Sequence, residues 1–100
     1  MKNIVNVQSC INGTIMTNAV VTRIHGAQKD WACMSYKTKL EDGRIVKVNE
    51  FRKLENADAA VNKAKYFVAG RKVDIAVSQV VSEDVDNKLY VSYNGFGRLI

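Results

Sequence analysis

Proline is absent from the chain, and histidine and tryptophan occur once each, as His25 and Trp31. Without proline no loop is stiffened by a fixed φ, and no strand loses a backbone donor. One histidine leaves little for metal or triad chemistry. A zinc site needs about four ligands, and Cys10, Cys33 and His25 follow none of the usual spacings. A nucleophilic triad would need that same histidine beside a Ser or Cys, with a carboxylate behind it. Gly95-Phe96-Gly97 is followed by neither Gly-Lys-Ser/Thr nor a helical pattern, so it is no phosphate loop. The carboxylate pairs Glu41-Asp42 and Glu83-Asp84 fall on expected turns. Long apolar runs are missing as well: none approaches the ~20 residues that span a bilayer. The opening stretch from Met1 carries a single positive charge and runs into Asn6, Gln8 and Ser9, unlike a secretory signal. These features lead to the expectation of a cytoplasmic, non-enzymatic protein without metal, cofactor, small-molecule substrate or membrane association. In a reducing compartment its two cysteines are expected to be free thiols, both packed as small buried hydrophobes.

What is present is ordinary for a globular chain. Hydrophobic residues make up 47% of the 100 residues and charged residues 25%, which points to one domain spanning 1–100. Lys and Arg outnumber Asp and Glu by 15 to 10, and the isoelectric point is near 9.4. The excess is uneven. Nine basic residues face four acidic ones up to Leu54, and six face six afterwards. A basic surface built from the first half favours anionic partners.

The pattern reads as four strands, one helix and two strands, β-β-β-β-α-β-β. Residues 3–11 alternate Val5, Val7 and Ile11, and Asn12-Gly13 then gives a strong hairpin signal. Residues 14–24 return, rich in β-branched side chains. After a loop at 25–30, strands are expected at 31–40 and 44–51. The helix is expected over 56–69, with Asn56 as N-cap and Gly70 as C-cap. Its apolar stripe is Ala57, Ala60, Val61, Ala64, Phe67 and Val68. Strands at 72–81 and 88–93 flank an acidic turn at 82–87, and residues 94–100 read as a loop or loose tail. Without its first strand this order is that of an OB-fold, a five-stranded barrel with the helix between strands three and four. The expected fold is therefore mainly β: an OB-like small antiparallel barrel with an extra N-terminal strand. The alternative is an α+β arrangement, an open antiparallel sheet with the helix on one face.

One turn decides which residues share a face. A two-residue Asp42-Gly43 loop would mix lysines with core residues. A three-residue loop over Glu41-Asp42-Gly43 sets Leu40 opposite Arg44 and separates them. Ala32, Met34, Tyr36, Leu40, Val46 and Val48 then line one face. Trp31, Cys33, Ser35, Lys37, Lys39, Ile45, Lys47, Asn49 and Phe51 line the other. Burying three lysines would be very costly, so the second face must be solvated.

Cations interleaved with aromatics on a sheet suit single-stranded nucleic acid, where bases stack on rings and phosphates meet lysine. On this reading Lys37, Lys39 and Lys47 contact phosphate, Trp31 and Phe51 stack on bases, and Arg44, Arg52 and Lys53 extend the positive track. The acidic 82–87 turn works against it, since in an OB-fold it would sit at the binding mouth. The alternative function is a protein-binding accessory or inhibitor that occupies the surface of an anionic or nucleic-acid-handling partner. In style the chain resembles the small Lys- and Asn-rich accessory proteins of phages and mobile elements. A third reading is an edge-strand dimer, formed through an N-terminal hairpin outside the five-strand core.

Overall fold

Among the described residues, six strands and one short helix follow one another in the expected order. They are β1 (Lys2–Ile15), β2 (Val20–His25), β3 (Asp30–Leu40), β4 (Ile45–Lys53), α1 (Ala57–Ala64), β5 (Lys72–Val85) and β6 (Lys88–Leu99). The structure, a computed structural model, describes residues 2–100. All six strands form one sheet in the order β1-β5-β6-β4-β3-β2, and an additional β1–β3 pairing closes a ring of five. Within that ring the helix falls between the third and fourth strands in sequence, as an OB-like barrel requires. The barrel is uneven. Its two seams are short: antiparallel β1–β3 from Gly13↔Leu40 to Ile15↔Thr38, and parallel β4–β6 from Lys47↔Ser92 to Asn49↔Asn94.

The strand outside the ring is β2, not the first strand. The chain does not turn back at Asn12-Gly13. It runs straight through as β1, with Gly13 paired to Val73 on one side and Leu40 on the other. Glycine is needed there for proximity and not for a turn. A side chain at position 13 would collide with the Thr38 methyl group and the Lys39 carbonyl, because this is where the seam draws two backbones together. Beyond the seam β2 continues along the same edge of β3, from Val20↔Ser35 to His25↔Asp30. Residues 16–19 loop out between the two pairings. Ala19 N–H reaches Phe67 O at 2.8 Å, and the Asn18 side chain accepts from Ala69 N–H at 2.9 Å.

Those two bonds account for the early end of the helix. The apolar stripe predicts residues 56–69, whereas α1 stops at Ala64. The backbone at 67–69 pairs with 18–19 instead, and Phe67 turns into the core with its ring 5.4 Å from that of Tyr36. At the other end the chain enters through a 3-10 turn, Leu54–Asn56, and the Asn56 side chain makes no capping bond. The helix packs against β2 and β3 and buries Ala57 and Ala60. The interior is filled by Ile15, Met34, Tyr36, Val48, Ile75 and their neighbours.

The C-terminal third is more regular than its composition suggests. β5 extends to Val85, and the turn is the pair Asp86-Asn87, both with positive φ (52° and 64°), the type I′ geometry that matches strand twist. Residues 94–99, expected as a loose tail, belong to β6 and pair with β5 through Val73↔Leu99. Gly95 and Gly97 are buried there. Of the cysteines, both free, Cys33 is buried but Cys10 is exposed.

Candidate nucleic-acid interface

The turn between β3 and β4 closes as the three-residue loop. Leu40 N–H bonds to Arg44 O at 2.8 Å and Gly43 N–H to Leu40 O at 3.0 Å, with Gly43 at φ +91°, a left-handed conformation that glycine tolerates. Tyr36 accordingly faces Val48 and Lys37 faces Lys47. The inner face is buried throughout: Ala32, Met34, Tyr36, Leu40, Val46 and Val48, together with Thr38 and Glu50. On the outer face Lys37, Lys39, Ile45, Lys47 and Phe51 are exposed, Trp31, Ser35 and Asn49 are half-buried, and Cys33 is covered.

Five of the eight expected contact residues thus share the outer face of two neighbouring strands: Trp31, Lys37, Lys39, Lys47 and Phe51. Lys53 joins them at the far end of β4, opposite Trp31. Trp31 and Phe51 meet edge to face, with centroids 6.4 Å apart and planes at 79°. Lys29, from the β2–β3 loop, lies 4.6 Å over the Trp31 ring. Arg44 is exposed at the turn, but its charge is engaged, with Nε 2.7 Å from Asp42 Oδ2. Bonds from the Arg44 backbone and guanidinium hold the Asp42 carboxyl below its ordinary value.

Arg52 does not extend the track. It shares the inner parity of Glu50, and its Nη2 lies 3.7 Å from Glu50 Oε1. Its guanidinium also lies 5.1 Å over the Phe96 ring. Glu50 is 0% exposed and is the hub of a buried network. Its Oε2 accepts from Tyr36 O–H and from Gly97 N–H, both at 2.9 Å. Its Oε1 accepts from Lys63 Nζ at 2.7 Å. A buried carboxylate needs this number of donors to offset its desolvation. The network ties β3, β4, β6 and the helix together beneath the outer face.

A second row of polar groups crosses the outer face. Ser35, Asn49, Asn94, Gln79 and Asn6 stand side by side on β3, β4, β6, β5 and β1. Ser35 Oγ donates to Asn49 Oδ1 at 2.9 Å. Asn94 Nδ2 donates to Gln79 Oε1 at 3.0 Å, and Gln79 Nε2 to Asn6 Oδ1 at 3.2 Å. Asn94 Oδ1 is buried without a partner. Below this row lie Lys37 and Lys47; above it, Trp31 and Phe51. No protein-family model matches the sequence, and no curated protein is similar to it.

The acidic hairpin reaches the same surface. Glu83 lines an open groove of about 440 Å³ with Lys2, Lys37, Lys47, Ile45 and Tyr90. It is the one carboxylate in that lining, against three lysines. Sequence reasoning finds Asn49 on the outer face but misses Gln79, Asn94 and Glu50. The first two join the site through the β4–β6 pairing between distant segments, which the β5–β6 hairpin carries on from Asn94 to Gln79. Glu50 carries a signal of its own: it alternates in phase with Val46 and Val48, which places a carboxylate on an apolar face.

Proposed function

We propose that the chain is a small non-enzymatic module that binds single-stranded nucleic acid on the outer face of β3 and β4. The observation that carries this reading is the pair Lys37↔Lys47. Like charges directly opposite each other destabilise a sheet, and Lys39 on the same face adds to the repulsion. A phosphate between them would turn that cost into attraction. The rings of Trp31 and Phe51 supply stacking surfaces on the same two strands, where each stacked base contributes ~1–3 kcal/mol. Lys37, Lys39 and Lys47 would contact phosphate. Three such contacts on a single strand correspond to a log–log salt slope of about −2. Lys53 and Lys29 border the aromatic end. Arg44 and Arg52, held by Asp42 and Glu50, contribute less.

Charge reversal tests the assignment. In the K37E/K39E double variant, polarisation of a labelled single-stranded oligonucleotide at low salt is expected to show no binding. Affinity unchanged from wild type would place any nucleic-acid site elsewhere.

A second reading rests on a different observation. Leu89 and Tyr90, 64% and 57% exposed, project from the β5–β6 hairpin near the exposed Ile45. Alongside, residues 2–12 of β1 pair with β5 on one edge only. An apolar tip beside an open strand edge suits a protein partner, through strand addition. Stoichiometric capture of a protein that survives K37E/K39E but fails in L89E/Y90E would favour this role.

A further inference from the structure

We infer that the groove where β4 and β6 part holds a ribose of the bound strand, with Glu83 accepting a hydrogen bond from its 2′-hydroxyl. The chain then prefers RNA to DNA. This rests on the nucleic-acid reading above and names its substrate class.

The groove follows from the short seam. β4 and β6 pair only from Lys47↔Ser92 to Asn49↔Asn94. Toward the β3–β4 turn they separate, and residues 88–91 of β6 pair with β5 alone. The opening measures about 440 Å³, within the range of small-ligand clefts. Lys37 and Lys47, the phosphate contacts proposed above, line one side of it. Tyr90 and Glu83 line the other, opposite each other on β6 and β5, and Lys2 stands next to Glu83 on β1. A strand whose phosphate rests on Lys47 brings the neighbouring sugar to this groove.

Glu83 is the group that needs a partner. It is exposed and open to a ligand. Among the described residues its carboxylate makes neither an ion pair nor a hydrogen bond, although Lys2 is its cross-strand neighbour. An ionised carboxylate only accepts hydrogen bonds. The sugar–phosphate backbone of a DNA strand has none to give along its length, because phosphate and ether oxygens are acceptors as well. Against DNA, Glu83 therefore only repels. RNA adds one donor per nucleotide, the 2′-hydroxyl, the group by which a protein tells RNA from DNA. The three lysines of the groove hold the polyanion, and the single carboxylate among them uses the one donor that an RNA backbone supplies.

The test uses three labelled single strands of one base sequence on the wild-type protein at low salt: RNA, DNA with deoxyuridine for thymidine, and a 2′-fluoro strand. The fluoro strand keeps an RNA-like sugar pucker without the donor. RNA is expected to bind about three- to tenfold more tightly than either of the others. In E83A the ratio of RNA to DNA affinity should fall to near one, with DNA bound more tightly as the repulsion is lost. E83Q, which keeps an acceptor, should retain part of the preference. Equal binding of all three strands, or a fluoro strand as tight as RNA, would overturn the ribose contact and leave the phosphate-binding face standing. An RNA preference undiminished in E83A would overturn the assignment to Glu83. No binding of any strand would overturn both this inference and the reading it rests on. The fluoro comparison needs no variant, so misfolding of E83A would not obscure it.

Discussion

Glu50 shows how much one residue can organise. It brings a full negative charge to a site without solvent and collects donors from Tyr36, Gly97 and Lys63, with Arg52 alongside. Removing one member of a buried charged set strands the others. E50A is therefore expected to destabilise the protein by about 3 kcal/mol or more, and E50Q, which keeps an acceptor, by less. Urea midpoints at neutral pH measure both; an E50A midpoint within error of wild type would contradict the network. Tyr36 gives a pH prediction from the same place. Burial first, then the neighbouring carboxylate and the bond to it, raise its phenol far above the ordinary 10.0. The neutral phenol is thus favoured in the fold, while the unfolded chain ionises near the ordinary value. Its contribution is complete below pH 10 and falls as pH rises beyond it. Thermal midpoints should decline above that pH, and the Tyr36 phenolate should appear only as the chain unfolds. A phenolate step assigned to Tyr36 in the native protein would refute this. In the sequence, alternation places Glu50 among core residues, but apart from Arg52 on its own strand its partners come from three other segments, β3, β6 and the helix, and no local pattern names them.

Among the elements, legibility follows contact distance. The β3–β4 hairpin is readable because burying lysine is costly, and that cost selects one loop length and one register. The β5–β6 turn is half readable. Asp86-Asn87 supports positive φ at both positions, yet the acidic run around it resembles a loop. β1 is misread because Asn12-Gly13 carries a local turn signal that a long-range pairing overrides. The helix is overextended for a similar reason: its stripe continues to Val68, but the backbone beyond Ala64 is claimed by residues 18–19. The Gly13 account makes a prediction at this scale. G13A should force β1 away from β3 at the seam and destabilise by roughly 1–3 kcal/mol. Amide exchange of Thr14 and Ile15 should accelerate more than that of residues 4–6. Wild-type protection at the seam would show that proximity is not why glycine stands there.

At the scale of the molecule, barrel and charge act together. The ring turns β3 and β4 so that one face forms the core and the other displays Lys37, Lys39 and Lys47 to solvent. Parallel pairing of β4 with β6 then sets Asn94 beside Asn49 and carries the surface on to Gln79 and Asn6. The basic excess up to Leu54 is legible in composition, and the two-strand face follows from one turn. The five-strand surface does not, because the β4–β6 and β1–β5 pairings join segments far apart in the chain. Arg52 shows the limit of charge counting: a cation adjacent to the track in sequence lies on the opposite face, where it is held by Glu50. The groove carboxylate Glu83 tempers the field without reversing it, since three lysines line the same groove.

The most direct test of the basic face uses the single tryptophan. Trp31 fluorescence would be followed while a single-stranded oligonucleotide is added, at low and at moderate salt, with polarisation of the labelled strand measured in parallel. The predicted result is quenching that saturates with the polarisation signal and weakens with salt along a slope of about −2. If fluorescence and polarisation both stay flat at low salt, the outer face of β3 and β4 does not bind nucleic acid.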